Sequence, residues 1–181
     1  MLNTWAYRQT WTQLALRKDL IGCEIGVAKG VNSFYILSNL NIKKLYLIDP
    51  YFAQSDEFTE DGERPYIEGI KHSEAEEIAR KTLNKFKDKV QWLVGTTKEM
   101  IENIPDNSLD FCYIDGDHKY ESVKLDIELC LPKVKIGAVL GGHDFCNDHK
   151  SVVRAVLEKF GKDKLFVGGR DWWIVKKTQI G

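Results

Sequence analysis

Residues 20–37 read LIGCEIGVAKGVNSFYIL. An apolar run enters a turn carrying Gly26 and Gly30, and a helical pattern follows. Strand, glycine-bearing turn and helix open a βαβ unit, which demands a parallel partner strand reached by a right-handed crossover. The turn is E-x-G-x-x-x-G, one residue wider than the G-x-G-x-x-G that cradles a pyrophosphate, with Glu24 at its front. That spacing disfavours a dinucleotide.

The rest of the chain supplies the partners. Residues 44–48 form a second strand ending at Asp49. Glu24 and Asp49 are separated as in βαβ units whose second-strand carboxylate binds a ribose. The competing reading is an acid that merely opens the Asp49-Pro50-Tyr51 turn. Residues 90–94 form a third strand, followed by Gly95 and by Thr96 with Glu99. Those last two make a capping box, which already gives Thr96 a structural role. Residues 110–114 and 138–141 supply strands four and five. Residues 121–134 fit both periodicities, and the need for a crossover decides for helix. Residues 151–160 read as a helix, and 164–167 with 172–175 as an antiparallel pair. Residues 4–17, within an N-terminal segment 1–19, suggest a short amphipathic helix. Residues 51–72 lack periodicity and form a candidate substrate lid. The expected fold is α/β, Rossmann-like and doubly wound. It has a seven-stranded, mostly parallel sheet with a C-terminal antiparallel β-hairpin, in one domain spanning 1–181.

Composition narrows the partners. The net charge of −1, without a long Lys or Arg run, argues against a nucleic-acid surface. Lys43-Lys44 and Lys176-Lys177 read as solvated ends of elements. No run approaches the ~20 apolar residues that cross a bilayer. The first residues lack the apolar core of a signal peptide. Cys23, Cys112, Cys130 and Cys146 show no metal-type spacing, so reduced thiols in a cytoplasmic protein are expected. The aromatic N-terminus and Trp172-Trp173 offer contact surfaces for a homo-oligomer.

Two apolar runs end in ionisable groups, Asp115-Gly116-Asp117-His118 and His143-Asp144. Ligands of open α/β sheets bind beyond the carboxyl ends of the strands, so these endings mark the site. His118 and His143 are the candidate bases, while His72 and His149 read as surface residues.

With Glu24-x-Gly26-x-x-x-Gly30 and Asp49, the chain resembles the class I S-adenosylmethionine-dependent methyltransferases. Asp115-Gly116-Asp117-His118-Lys119-Tyr120 is similar to the D-G-D-x-Y segment of small O-methyltransferases acting on macrolide sugars and related compounds. The resemblance implies that Glu24, Gly26 and Gly30 hold the methionine part of the cofactor and Asp49 its ribose. It places Gly95 and Thr96 on the adenine side and Asp115 at the cofactor's edge. It also implies a divalent metal on Asp115, His143 and Asp144, with His143 where relatives carry Asp. That departure matters, because Mg²⁺ prefers oxygen ligands and imidazole suits softer ions.

The expected activity is methyl transfer to a hydroxyl of a small molecule such as a sugar, a phenol or a natural-product intermediate. Amino-directed base methylation is disfavoured, since no N/D-P-P-Y segment follows strand four. A metal-dependent hydrolase, a nicotinamide-dependent oxidoreductase and a non-catalytic nucleotide-binding domain are the alternatives on this fold.

Overall fold

The computed structural model describes residues 8–51 and 72–177. Its strands are β1 (Leu20–Ile25), β2 (Ile42–Asp49), β3 (Val90–Val94), β4 (Leu109–Ile114), β5 (Val134–Gly142), β6 (Phe166–Gly168) and β7 (Asp171–Val175). Its helices are α1 (Val31–Asn39), α2 (His72–Leu83), α3 (Thr97–Met100), α4 (Tyr120–Cys130) and α5 (Lys150–Phe160). The sheet order is β3-β2-β1-β4-β5-β7-β6. β1 to β5 pair in parallel, and β7 pairs antiparallel with both β5 and β6. The expected Rossmann-like architecture is the one observed.

Alternation along each strand builds two apolar layers, as a pleated sheet buried on both faces requires. Cys23, Tyr46, Ile48, Cys112, Ile114 and Leu140 point into one layer, closed by Val123 and Ile127 of α4 and Val152 and Val156 of α5. Leu20, Leu45, Leu47, Phe111, Tyr113 and Val139 point into the other, closed by Ile36 of α1 and Ala79 of α2. Trp11 completes that second layer, its ring centroid 5.5 Å from Phe111 and 4.7 Å from Tyr113.

Several expectations need correction. Residues 8–17 contain a single 3₁₀ turn, Gln9–Gln13, in place of an amphipathic helix. Trp11 anchors it, and buried Asp171 accepts hydrogen bonds from the Thr10 amide and hydroxyl. Fixing this segment takes one aromatic and one carboxylate, so no helical stripe is needed. β5 begins at Val134, four positions before the expected start, because the residues ahead of Ala138 are partly exposed and gave no continuous apolar run. Lys176 is buried, donating from Nζ to the carbonyls of Leu131 and Val134. Trp11, Trp172 and Trp173 lie in the core, so they are not available as oligomer contacts. The candidate lid falls almost entirely outside the described residues.

Gly22 sits where β1 passes over the Phe111 ring, and a Cβ there would lie 2.0 Å from that ring. Overpacking a filled core costs about 1–3 kcal/mol. Gly22→Ala is therefore expected to lower the unfolding free energy from urea denaturation by an amount in that range, seen as a lower midpoint with the m-value unchanged. An unchanged midpoint would contradict this packing account.

Candidate active site

The sheet's topology decides where chemistry can occur. β1 lies between β2 and β4, so the connections from its two neighbours depart on opposite faces and leave a crevice at the strands' carboxyl ends. Glu24, Asp49, Asp115, His143 and Asp144 all stand at or beyond those ends.

On the β1–β2 side, the glycine turn runs through three left-handed residues, Gly26 (φ 81°), Ala28 (φ 47°) and Gly30 (φ 74°). Gly26 also lies against the end of β4, where a Cβ would come 2.1 Å from the Asp115 carbonyl oxygen. No other residue fits that contact. Asp49 organises the turn: its Oδ2 accepts the amides of Val27 (2.8 Å) and Ala28 (2.9 Å), and its Oδ1 accepts that of Tyr51 (2.8 Å). This clamping role was not visible in the sequence, since nothing there reveals which way a turn's amides point.

Glu24 is buried and accepts hydrogen bonds from Asn32 Nδ2 (2.7 Å) and the Ser33 hydroxyl. Burial pushes its carboxyl up to about 7, against the pull of the Ser33 and Asn32 bonds. Asn32 Oδ1 and the Tyr51 hydroxyl are buried with no hydrogen-bond partner among the described residues. Buried polar atoms left over at a ligand crevice fit a polar ligand that completes them.

Gly95 continues the pairing by donating its amide to the Asp49 carbonyl (3.1 Å). Thr96 caps α3 in a reciprocal box with Glu99, whose Oε2 accepts the Thr96 amide (2.9 Å) and hydroxyl (2.8 Å). The side chain of Thr96 is thereby committed to the helix.

On the β4–β5 side, one carboxylate gathers three imidazoles. Asp144 Oδ2 lies 3.0 Å from His118 Nε2, and Oδ1 lies 3.1 Å from His143 Nδ1 and 3.4 Å from His149 Nε2. Asp144 itself adopts φ 57°, an unusual conformation for a non-glycine residue that often marks a functional position. Burial works against its charge, but the bonds from His118 and His143 outweigh burial and hold its carboxyl well below the usual range. His149, expected on the surface, is a member of this cluster. It precedes α5, whose packing against α4 turns it inward, and single-sequence polarity cannot report such a fold.

Asp115 Oδ1 lies 3.6 Å from His143 Nδ1, and its Oδ2 accepts a 2.9 Å hydrogen bond from Arg8. Arg8 also approaches Asp171 at 3.8 Å. Burial pushes the Asp115 carboxyl up, against the pull of Arg8 and His143. Arg8 is a site residue the sequence did not signal, because it lies over a hundred positions from its partner in the chain. A cavity of about 10 Å³, room for one water-sized particle, is lined by Asp115, His118, His143 and Asp144. Asp117 borders the same cavity, and its Oδ2 accepts the Ser122 hydroxyl at 2.8 Å. Val152 and Trp172 also line it.

Residues 23–145 match a family model described as a methyltransferase domain. The chain belongs to that family of methyltransferase domains. No curated protein matches the sequence. Among solved structures, the O-methyltransferase NovP shares 20% identity over 94% of this chain and 76% of its own, at a TM-score of 0.60. An O-methyltransferase from Bacillus cereus, crystallised with SAH, shares 17% over 97% and 82%, at 0.63. An rRNA methylase from Streptococcus thermophilus shares 11% over 98% and 99%, at 0.66. These similarities establish the fold and leave the acceptor open.

Two buried carboxyls, Glu24 and Asp126, make stability pH-dependent. Burial pushes Asp126 up to about 7, against a hydrogen bond from Thr97. Both groups hold a proton in the folded chain that the unfolded chain releases above its ordinary carboxyl pKa. Their contribution is therefore full below about pH 4 and is lost as pH rises to about 7, at up to about 1.4 kcal/mol per pH unit for each group. Urea unfolding from pH 5 to 8 should show stability declining to about pH 7, with Asp126→Asn flattening the slope. A slope that is identical in the variant would assign the effect elsewhere.

Proposed function

We propose that this chain is an S-adenosylmethionine-dependent O-methyltransferase acting on a small hydroxyl-bearing molecule. The observation that carries the oxygen assignment is the His143–Asp144 pair, set beside Asp115 at the carboxyl end of β5. A hydroxyl must lose its proton as it becomes a nucleophile, and imidazole is the side chain best suited to take one near neutral pH. When His143 donates from Nδ1 to Asp144, its Nε2 is left with the lone pair that accepts the proton. Asp144, held ionised, then stabilises the imidazolium.

Bound in the crevice, the cofactor supplies an electrophilic methyl group on a sulfonium. The protein's part is to place the acceptor oxygen in line and to remove its proton. Glu24 and the Gly26–Gly30 turn lie where the methionine portion would sit, and Asp49 where the ribose would. Gly95 and Thr96 border the adenine side, Gly95 through its backbone. Because Asp49 already clamps the turn, a ribose there would meet a preformed edge, which lowers the ordering cost of binding.

A divalent ion on Asp115, His143 and Asp144 would have to share Asp115 with the Arg8 guanidinium and accept an imidazole donor. Neither feature suits Mg²⁺. On this reading those three residues handle the proton. The net charge of −1 favours a small-molecule acceptor over nucleic acid. No helix among the described residues is long and apolar enough to cross a membrane. Cys23, Cys112, Cys130 and Cys146 are all free thiols, which fits a reducing, cytoplasmic setting.

Calorimetry with S-adenosylhomocysteine should show one site per chain, weakened at least about tenfold by Asp49→Ala. No binding at millimolar ligand would overturn the reading. In a screen of hydroxylated acceptors with labelled cofactor, His143→Asn should lower kcat by about 10²–10⁴, the range for loss of a general base, with cofactor affinity kept. A full rate in that variant would remove His143 from the role.

A further inference from the structure

We infer that the end of α2, the outer side of α1 and the approach to β3 form a surface that docks the chain onto an anionic lipid bilayer. Residues 81–89, which lead from α2 to β3, read KTLNKFKDK, four lysines against Asp88 alone. Lys89 lies beside the start of β2, where its carbonyl accepts the Leu45 amide at 2.8 Å. Lys43 stands two positions before Leu45 and so shares its face of the sheet, the one that α1 and α2 cover. It adds a fifth positive charge to this flank.

All five lysines are exposed. None forms an ion pair with a described residue, whereas Lys133, Lys135 and Lys159 each meet a carboxylate. The whole chain carries a net charge of −1, so this concentration of lysines leaves the remaining surface acidic. Such an asymmetry turns one face of a molecule towards a negative surface and the others away. Apolar groups stand among the charges. Phe34 of α1 is 36% exposed, and its ring meets Phe86 edge to face with centroids 5.8 Å apart. Lys85 Nζ lies 4.3 Å from the Phe34 centroid and 4.7 Å from that of Phe86. Lysines around partly exposed aromatic rings suit the bilayer interface, where apolar groups enter and ammonium groups stay with the headgroups.

The same details choose a membrane over a nucleic acid. Lys85 already covers a face of each ring, which leaves both poor platforms for stacked bases. Arginine, which grips single phosphates through paired hydrogen bonds, is represented nearby by Arg80. That side chain is committed to Glu76 at 2.7 Å and lies over the Trp92 ring. Lysines acting as point charges match the diffuse negative field of acidic headgroups. They gather at the amino ends of β2 and β3, away from the crevice at the carboxyl ends. The inference therefore stands without the methyl-transfer reading.

The test is cosedimentation of the full chain with vesicles of phosphatidylcholine alone, or of equal parts phosphatidylcholine and phosphatidylserine. The chain should pellet with the mixed vesicles at low ionic strength, leave them as salt is raised, and ignore the neutral ones. Lys85→Gln, Lys87→Gln and Lys89→Gln combined should weaken binding about a hundredfold, at roughly fivefold per lysine. Lys159→Gln, Lys162→Gln and Lys164→Gln combined, at the end of α5 on the other side of the sheet, should change it by less than about threefold. Failure to pellet with the mixed vesicles overturns the proposal, and so does an equal loss in the two triple variants. Tighter binding to a mixed-sequence RNA oligonucleotide than to those vesicles would also overturn it and assign the patch to nucleic acid. Should a triple variant fail to fold, hydrogen exchange of the parent chain decides. Mixed vesicles should slow exchange in residues 81–89 and in α1, and protection confined to other segments refutes the surface. Absence of S-adenosylhomocysteine binding would bear on the proposed activity alone, so the two failures are distinguishable.

Discussion

The contact between the ends of β1 and β4 is the constraint on which the site depends. The Asp115 amide donates to the Ile25 carbonyl at 2.8 Å, and Gly26 lies so close to the Asp115 carbonyl that a single added carbon has no room. Because of that closeness, the turn after β1 and the acids after β4 share one crevice. Asp49 then fixes the turn from the other flank by accepting its amides. Two short-range interactions thus set the distance between the Glu24–Asp49 half of the crevice and the Asp115–Asp144 half.

The two halves differ in electrostatic character. Glu24 is buried, and burial drives its carboxyl towards the neutral form. Around Asp144 the protein is rich in imidazoles, and the carboxylate keeps its charge although it is buried. Hydrogen bonds to the charged form outweigh desolvation in the second case and not in the first. One carboxyl suits a neutral polar contact, the other the orientation of groups that carry protons.

Much of the fold was legible because parallel strands buried on both faces leave long apolar runs, and the crossovers between them leave helical ones. Leu20–Ile25 with its glycine turn, and Leu109–Ile114 ending in Asp115, were plain for that reason. β5 was read short because Lys135, Ile136 and Gly137 are partly or fully exposed and interrupt its apolar run, and the N-terminal segment was read as a helix because aromatic spacing alone cannot show an anchor at Asp171. At the site, residues at strand ends could be named from topology. Arg8 and His149 could not, since each reaches the cluster only through packing between elements distant in sequence. Asp49 was singled out by its position at the end of β2, yet its hold on the turn depends on amide directions that no side-chain pattern encodes.

Val152 belongs at once to the apolar layer beneath the sheet and to the wall of the cavity under Asp144 and His118. Trp172 has the same double membership. No inert layer insulates the reactive cluster from the hydrophobic interior. A mutation selected for thermal tolerance at either position would also reset the spacing of the cluster above it. Adaptation to temperature and drift in chemical preference would therefore travel together in descendants of this chain.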